Sequence, residues 1–217
     1  MIELLNIDCM EYMKTCSDRE FDLAIVDPPY GIGQSGKNND SRGKLANAKA
    51  YKPYEGEDKE PPSKEYFIEL QRVSENQIIW GANHFMQNIC LGSSCWIIWD
   101  KENGATDYAD CELAYTSFNT AARKFNFRWA GMLQGDMRNK EHRIHPNQKP
   151  VKLYEWLLTN YAKPGQRVLD THLGSGSSAI AAHYFGVDFV GCELDEHYYN
   201  EAKKRFDLST SQIDLFA

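Results

Sequence analysis

The chain has 217 residues, 42% hydrophobic and 25% charged, with a formal net charge of −7. That is the composition of one globular domain with a full core, and the acidic balance argues against a general nucleic-acid coat while allowing a local basic groove. No apolar run approaches the ~18 residues of a membrane span, and Met1 to Asp8 carries acids and no basic leader, so neither a span nor a signal peptide is expected. The six cysteines (Cys9, Cys16, Cys90, Cys95, Cys111, Cys192) show no C-x-x-C or metal spacing and read as mostly buried thiols in a reducing, cytoplasmic setting.

Glu3 to Ile7 reads as a short strand ending at Asp8, followed by a helix over Cys9 to Thr15. The next strand, Leu23 to Val26, is a continuous apolar run that stops at Asp27-Pro28-Pro29-Tyr30. Proline cannot donate to a sheet ladder, so the two prolines end the strand and stiffen the loop after it. The loop offers a carboxylate, proline-flanked carbonyls that accept, and a flat ring. Such a surface suits a planar ring bearing an exocyclic amino group. Taken alone, the tetrapeptide is explained equally well as a strand-ending turn.

Residues 31–63 are rich in Gly, Lys, Asn and Ser, contain Pro53, Pro61 and Pro62, and lack periodicity, so a long mobile loop is expected. Its cations Lys37, Arg42, Lys44, Lys49 and Lys52 precede an acidic patch, Glu55 to Glu60. Ser63 to Val73 has a helical start and apolar spacing, Gln77 to Trp80 reads as a strand closed by Gly81, and Asn83 to Ile89 suits a short helix. Cys95 to Trp99 is an apolar strand ending at Asp100, Asp110 to Ser117 alternates, and Arg123 to Leu133 looks extended and aromatic.

From Arg123 to Lys152 the basic residues Arg123, Lys124, Arg128, Arg138, Lys140, Arg143, Lys149 and Lys152 face only Asp136 and Glu141, with Phe125, Phe127 and Trp129 among them. Interleaved cations and aromatics are what a phosphate backbone and exposed bases require; a solvated charged face is the plainer explanation. His142 and His145 are spaced for a metal but have no third ligand nearby, so none is expected.

Val151 to Tyr161 is an amphipathic helix stopped by Lys163-Pro164-Gly165. Arg167 to Asp170 then reads as a strand, Thr171 to Gly176 as a glycine turn opening a helix, Phe189 to Cys192 as a strand ending at Glu193, and Glu196 to Phe206 as a last helix. Gly174-x-Gly176-x-x-Ala179, with Glu193 about 20 residues on, matches the dinucleotide pattern. Asp170 beside that loop would oppose a pyrophosphate but suits an ammonium, and too little chain remains to complete a nucleotide-binding half. Joined tail to head, the two ends of the chain give a four-strand α/β run whose strands end at Asp170, Glu193, Asp8 and Asp27. In a doubly wound sheet the first and fourth are neighbours at the switch point. The glycine loop and Asp-Pro-Pro-Tyr would then face one acidic, aromatic crevice. It suits a cationic adenosine ligand such as S-adenosylmethionine, whose ribose Glu193 could hold.

These stretches resemble the permuted, beta-class amino-group DNA methyltransferases, in which the catalytic motif precedes the cofactor motif. Asp27, Pro28, Pro29 and Tyr30 look like the catalytic motif in its adenine-N6 spelling, and His145-Pro146-Asn147-Gln148-Lys149-Pro150 like the H-P-x-Q-K-P element. Asp170-Thr171-His172-Leu173-Gly174-Ser175-Gly176-Ser177 resembles the D-P-F-x-G-S-G-T loop. Thr171-His172 stands for the family's Pro-Phe and Ser177 for its Thr, and the target-recognition region is short. The resemblance implies a Rossmann-like α/β methyltransferase fold over 1–217, with a doubly wound, mostly parallel sheet in circularly permuted motif order. It also implies S-adenosylmethionine bound by Asp8, Cys9, Lys149, Asp170, His172, Leu173, Gly174, Ser175, Gly176, Ser177, Glu193 and Leu194. The implied reaction is methyl transfer to a flipped-out adenine N6, with 31–63 and 123–145 recognising DNA through Lys37, Arg42, Lys44, Arg138, Lys140 and Arg143. A cytosine-N4 or RNA enzyme, or an idle DNA-binding or partner subunit of the same fold, are the alternatives. A homodimer and a cognate restriction endonuclease remain open as partners.

Overall fold

The computed structural model describes residues 1–33, 58, 60–89, 92–104, 109–130 and 133–211. Its strands are β1 (Ile2–Asn6), β2 (Phe21–Val26), β3 (Ser74–Trp80), β4 (Trp96–Asp100), β5 (Cys111–Thr116), β6 (Arg123–Asn126), β7 (Trp129–Ala130), β8 (Leu133–Gln134), β9 (Arg167–Asp170) and β10 (Asp188–Glu193). Eight form one sheet in the order β1-β10-β9-β2-β3-β5-β4-β6, while β7 and β8 pair separately. From β1 across to β3 every pairing is parallel; β5 then runs antiparallel to both β3 and β4. The helices are α1 (Cys9–Thr15), α2 (Lys64–Val73), α3 (Met86–Ile89), α4 (Val151–Tyr161), α5 (Ser177–Phe185) and α6 (Glu196–Thr210). No described helix is long and apolar enough to cross a membrane.

The apolar run of β2 is continuous because helices cover both faces of the sheet. Alternate residues enter different cores. Leu23 and Ile25 pack with Leu153 and Leu157 of α4 and Ala179 of α5. Ala24 and Val26 pack with Met13 of α1 and Phe67 and Leu70 of α2. β9 pairs with β2 in parallel, Leu23 opposite Val168. The first strand of the C-terminal run therefore lies beside the last strand of the N-terminal one, and the sheet's direction of winding reverses between them. That is where a doubly wound sheet has its ligand crevice.

Two expectations need correction. Asn83 to Ile89 is not one helix: a 3-10 turn (Ala82–His84) and the single-turn α3 are separated at Phe85, whose fully buried ring anchors the break. The aromatics of the basic segment are not offered to bases. Phe125, Phe127 and Trp129 are two apart, so extended backbone puts them on one face. Phe125 packs on Trp156 of α4 at 5.4 Å, Phe127 stacks on Phe125 at 6.0 Å, and the indole of Trp129 donates to the Gln148 carbonyl at 2.7 Å.

Candidate active site

At the C-terminal end of β2 the prolines turn the chain so that the Tyr30 hydroxyl donates to Asp27 Oδ1 at 2.8 Å. The Tyr30 ring lies over Gly81, which ends β3 with φ +69; a Cβ there would come within 2.0 Å of the ring. His84 stacks on the same ring at 5.1 Å and 17°. Asp58 then fixes the backbone of the loop. Its Oδ1 accepts from the amides of Tyr30 and Gly31, both at 2.9 Å, and its carbonyl accepts from Gly33 at 2.9 Å. Only Asp58 and the two ends of the 31–63 loop are described; Lys37, Arg42 and Lys44 lie outside the described residues.

Lys149 reaches this loop from the segment before α4. Its side chain is 5% exposed, and the ammonium is 2.5 Å from Asp27 Oδ2, 3.0 Å from Glu112 Oε2 and 3.1 Å from the Tyr30 oxygen. Glu112, in β5, also pairs with Lys101. Two carboxylates and two ammoniums thus share one pocket beneath Tyr30 and Trp80. Burial raises the Asp27 carboxyl above its ordinary range, and Lys149 opposes that shift. Burial would raise Glu112 too, but Lys149 and Lys101 outweigh it and hold that carboxyl at about 2. Lys149 is pushed upward, since its two carboxylate partners outweigh burial, so it stays charged.

The same residue links this loop to the glycine turn, because the Lys149 carbonyl accepts from the Ser177 hydroxyl at 2.7 Å. Gly174 and Gly176 have φ of +54 and +72, conformations that a side chain would strain. Above Gly174 there is room: a Cβ would meet nothing nearer than the His172 carbonyl at 3.8 Å. Ser175 and Ser177 bond one another at 3.0 Å, and Arg205 of α6 donates to both the Ser175 carbonyl (2.7 Å) and the Ser177 hydroxyl (2.9 Å). Glu193, at the end of β10, accepts from the Gly174 amide at 2.8 Å and the Asp195 amide at 3.0 Å.

Asp170 is buried at the end of β9, accepting from the His172 amide at 3.0 Å and the Ser178 hydroxyl at 2.6 Å. Burial raises its carboxyl to about 7 against those two hydrogen bonds, with Asp27 and Glu193 adding repulsion. Asp8 caps α1 by accepting from the Met10 and Glu11 amides at 2.8 and 3.1 Å, and Cys9, half-buried, is the first residue of that helix. The Leu173 amide donates to the Cys192 carbonyl at 2.8 Å, and Leu194 is exposed. The His172 ring contacts the Thr171 hydroxyl at 2.9 Å and the edge of Tyr66. Burial pushes both His172 and His145 down to about 4.

Of the cations expected to meet DNA, Arg138 and Lys140 are exposed on the segment after β8. Arg143 is turned inward, its guanidinium over the Trp129 ring at 4.3 Å. Three polar groups at this site carry no signal in the sequence that marks them as partners. Glu112 and Lys101 sit at neighbouring strand ends, far in the chain from both Asp27 and Lys149, although Glu112 is the one acid in the strand Cys111–Thr116. Glu141, in sequence only an opposing charge, accepts from Arg205 at 2.7 Å and from the Val151 amide at 2.9 Å, tying the loop segment to α6 and α4.

Residues 93–204 match a family described as DNA methylase. The type II methyltransferase M.HinfI of Haemophilus influenzae is 23% identical over 93% of this chain and 67% of its own length. Among solved structures, the M1.HpyAVI–SAM complex (21% identity, TM-score 0.56) aligns with 94% of this chain and all of its own. PvuII DNA methyltransferase, described as cytosine-N4-specific, is 10% identical with a TM-score of 0.61, over 97% of this chain and 90% of its own.

Proposed function

This chain belongs to the DNA methylase family, and on that premise we propose that it transfers a methyl group from S-adenosylmethionine to the N6 amino group of an adenine in DNA. One observation carries this reading: β9 and β2 are adjacent, so the glycine turn after Asp170 and the Asp27–Tyr30 loop open on the same side of the sheet, joined by Lys149.

The residues around the turn fit the cofactor. Gly174 leaves room beside the strand ends, while Gly176 lets the turn pack closely on Ala202 of α6. Asp170 is an anionic partner for an ammonium, Glu193 suits a ribose diol, and Asp8 and Cys9 lie at the neighbouring strand end. His172, Leu173, Ser175, Ser177 and Leu194 complete the surroundings, with both serines holding the turn in shape. When bound, S-adenosylmethionine supplies an electrophilic methyl group on a sulfonium. Asp27 and the Pro28 carbonyl accept the hydrogens of the target amino group and orient its lone pair, so that positioning supplies most of the rate. Tyr30, braced by Gly81 and His84, provides the flat surface for the extruded base. Asp27 need not be a strong base, since the amino nitrogen sheds its proton only as it gains positive charge.

Support for adenine comes from the Asp-Pro-Pro-Tyr spelling, which resembles the adenine-type motif. Cytosine N4 is the second reading, favoured by the likeness to the cytosine-N4-specific PvuII enzyme. Arg138 and Lys140, exposed after β8, are the cations offered to phosphate, Lys37, Arg42 and Lys44 are assigned the same role on sequence alone, and Arg143 acts through Trp129. Incubating duplex DNA with the protein and isotopically labelled S-adenosylmethionine, then digesting to nucleosides for mass spectrometry, tests the reading. Label in N6-methyl-2′-deoxyadenosine is expected; label in N4-methyl-2′-deoxycytidine would establish the second reading, and unlabelled nucleosides would overturn both.

A further inference from the structure

Both oxygens of Asp27 are already in use, Oδ1 by the Tyr30 hydroxyl and Oδ2 by Lys149. Under the function proposed above, on which this inference rests, a target amino group competes with these donors for Asp27, whose side chain is only 16% exposed. Lys149 is buried, and a buried ammonium that loses its carboxylate is strongly disfavoured unless another stands within reach. Glu112 is that carboxylate, with Oε2 3.0 Å from the same nitrogen. Its place is fixed from outside the loop: β5 pairs it with Trp99 of β4, and the Gly81 amide donates to the next carbonyl, Leu113, at 2.9 Å. Lys101 holds its other oxygen.

We propose that Glu112 is a positioning residue for methyl transfer, receiving the Lys149 ammonium when the target amino group displaces it from Asp27. The exchange is one of hydrogen bonds only. No proton moves between the four side chains, and two negative and two positive charges remain in the pocket before and after it. Lys101 balances Glu112 while Lys149 is still on Asp27. Asp27 is thereby kept ionised in the resting protein yet becomes able to accept from the substrate.

Single-turnover methylation at saturating S-adenosylmethionine tests this with four proteins: wild type, Glu112→Gln, Lys149→Met and the double variant. Gln keeps the shape of Glu112 and an acceptor oxygen but not the charge that balances an ammonium. The Glu112→Gln rate constant is expected to fall about 10- to 100-fold, the range for losing one charged hydrogen bond, while affinity for S-adenosylmethionine is unchanged. In the Lys149→Met background no ammonium has to be received, so adding Glu112→Gln is expected to cost less than about threefold more. A purely structural role would leave the turnover of folded protein alone, or give losses that multiply in the double variant; either result overturns the proposal. If Glu112→Gln does not fold, Glu112→Asp, which keeps the charge but shortens its reach, takes its place with a loss of at least tenfold expected. Wild-type turnover by Glu112→Asp would then overturn it. A wild-type protein that transfers no methyl group would instead remove the proposed function itself.

Discussion

The Tyr30 hydroxyl changes what this residue is for. As a motif letter it is a stacking ring, and phenylalanine would serve. In the folded protein it donates to Asp27 and lies 3.1 Å from Lys149. Tyr30→Phe should therefore lower kcat by an amount matching about 1.5–3 kcal/mol, the usual range for a hydrogen bond to a charged group; wild-type kinetics would restrict Tyr30 to stacking. Asp170 has a consequence with a definite sign. Its carboxyl sits at about 7 in the ligand-free fold because burial disfavours the charge, and an ammonium partner requires that charge. Affinity for S-adenosylmethionine should weaken as pH falls below about 7, by up to about tenfold per unit, and level off above it. His145 and His172, held near 4, stay neutral through that range and contribute no step. Without ligand the sign reverses: stability falls as pH rises from the ordinary carboxylate value towards about 7, and Asp170→Asn should abolish that slope. Calorimetric titration across neutral pH measures the first effect and thermal melts the second. A flat binding profile would show that Asp170 does not hold the ammonium.

At the level of elements, the strands and helices that carry strong patterns are legible in the sequence. The apolar runs before Asp27, Asp100, Asp170 and Glu193 are strands β2, β4, β9 and β10, and α1 and α4 span the residues their periodicity gives. What the pattern misses is contact between distant pieces. Phe125, Phe127 and Trp129 alternate as a base-stacking face would, but the surface they meet is α4, and nothing local distinguishes the two. Glu112 and Lys101 look like ordinary strand-end charges until β4 and β5 pair antiparallel and bring them to Lys149. In sequence Gly81 is a strand terminator; its second duty, lying under Tyr30, depends on β3 running beside β2. Gly81→Ala forces both a left-handed backbone and an overlap with the Tyr30 ring. It should cost about 1–3 kcal/mol of stability and displace Tyr30, so activity should fall further than the loss of folded protein explains. A variant with wild-type melting temperature and turnover would show that the ring does not rest where the geometry puts it.

Across the whole molecule, the charge of −7 and the exposed cations Arg138 and Lys140 point to DNA bound on one face with modest strength. Each of the two that contacts a phosphate should reduce the salt slope of binding by about one when neutralised, equally for all sequences. Arg143, held on Trp129, should instead lower stability. Unchanged salt dependence after charge reversal at Arg138 and Lys140 would leave that segment a solvated face. The topology is legible because an acid ends or follows each of four parallel strands, two at either end of the chain, and a doubly wound sheet built from them puts β9 beside β2. The charged pocket is not, because it is assembled from four separate stretches of chain. The most direct test compares wild type with Asp27→Ala on duplex DNA, measuring bound S-adenosylmethionine and methylated base in the same samples. Asp27→Ala should keep its fold and most of its cofactor binding while transfer to an amino group of DNA disappears. Undiminished transfer by Asp27→Ala would contradict the assignment of this cleft as the site of methyl transfer.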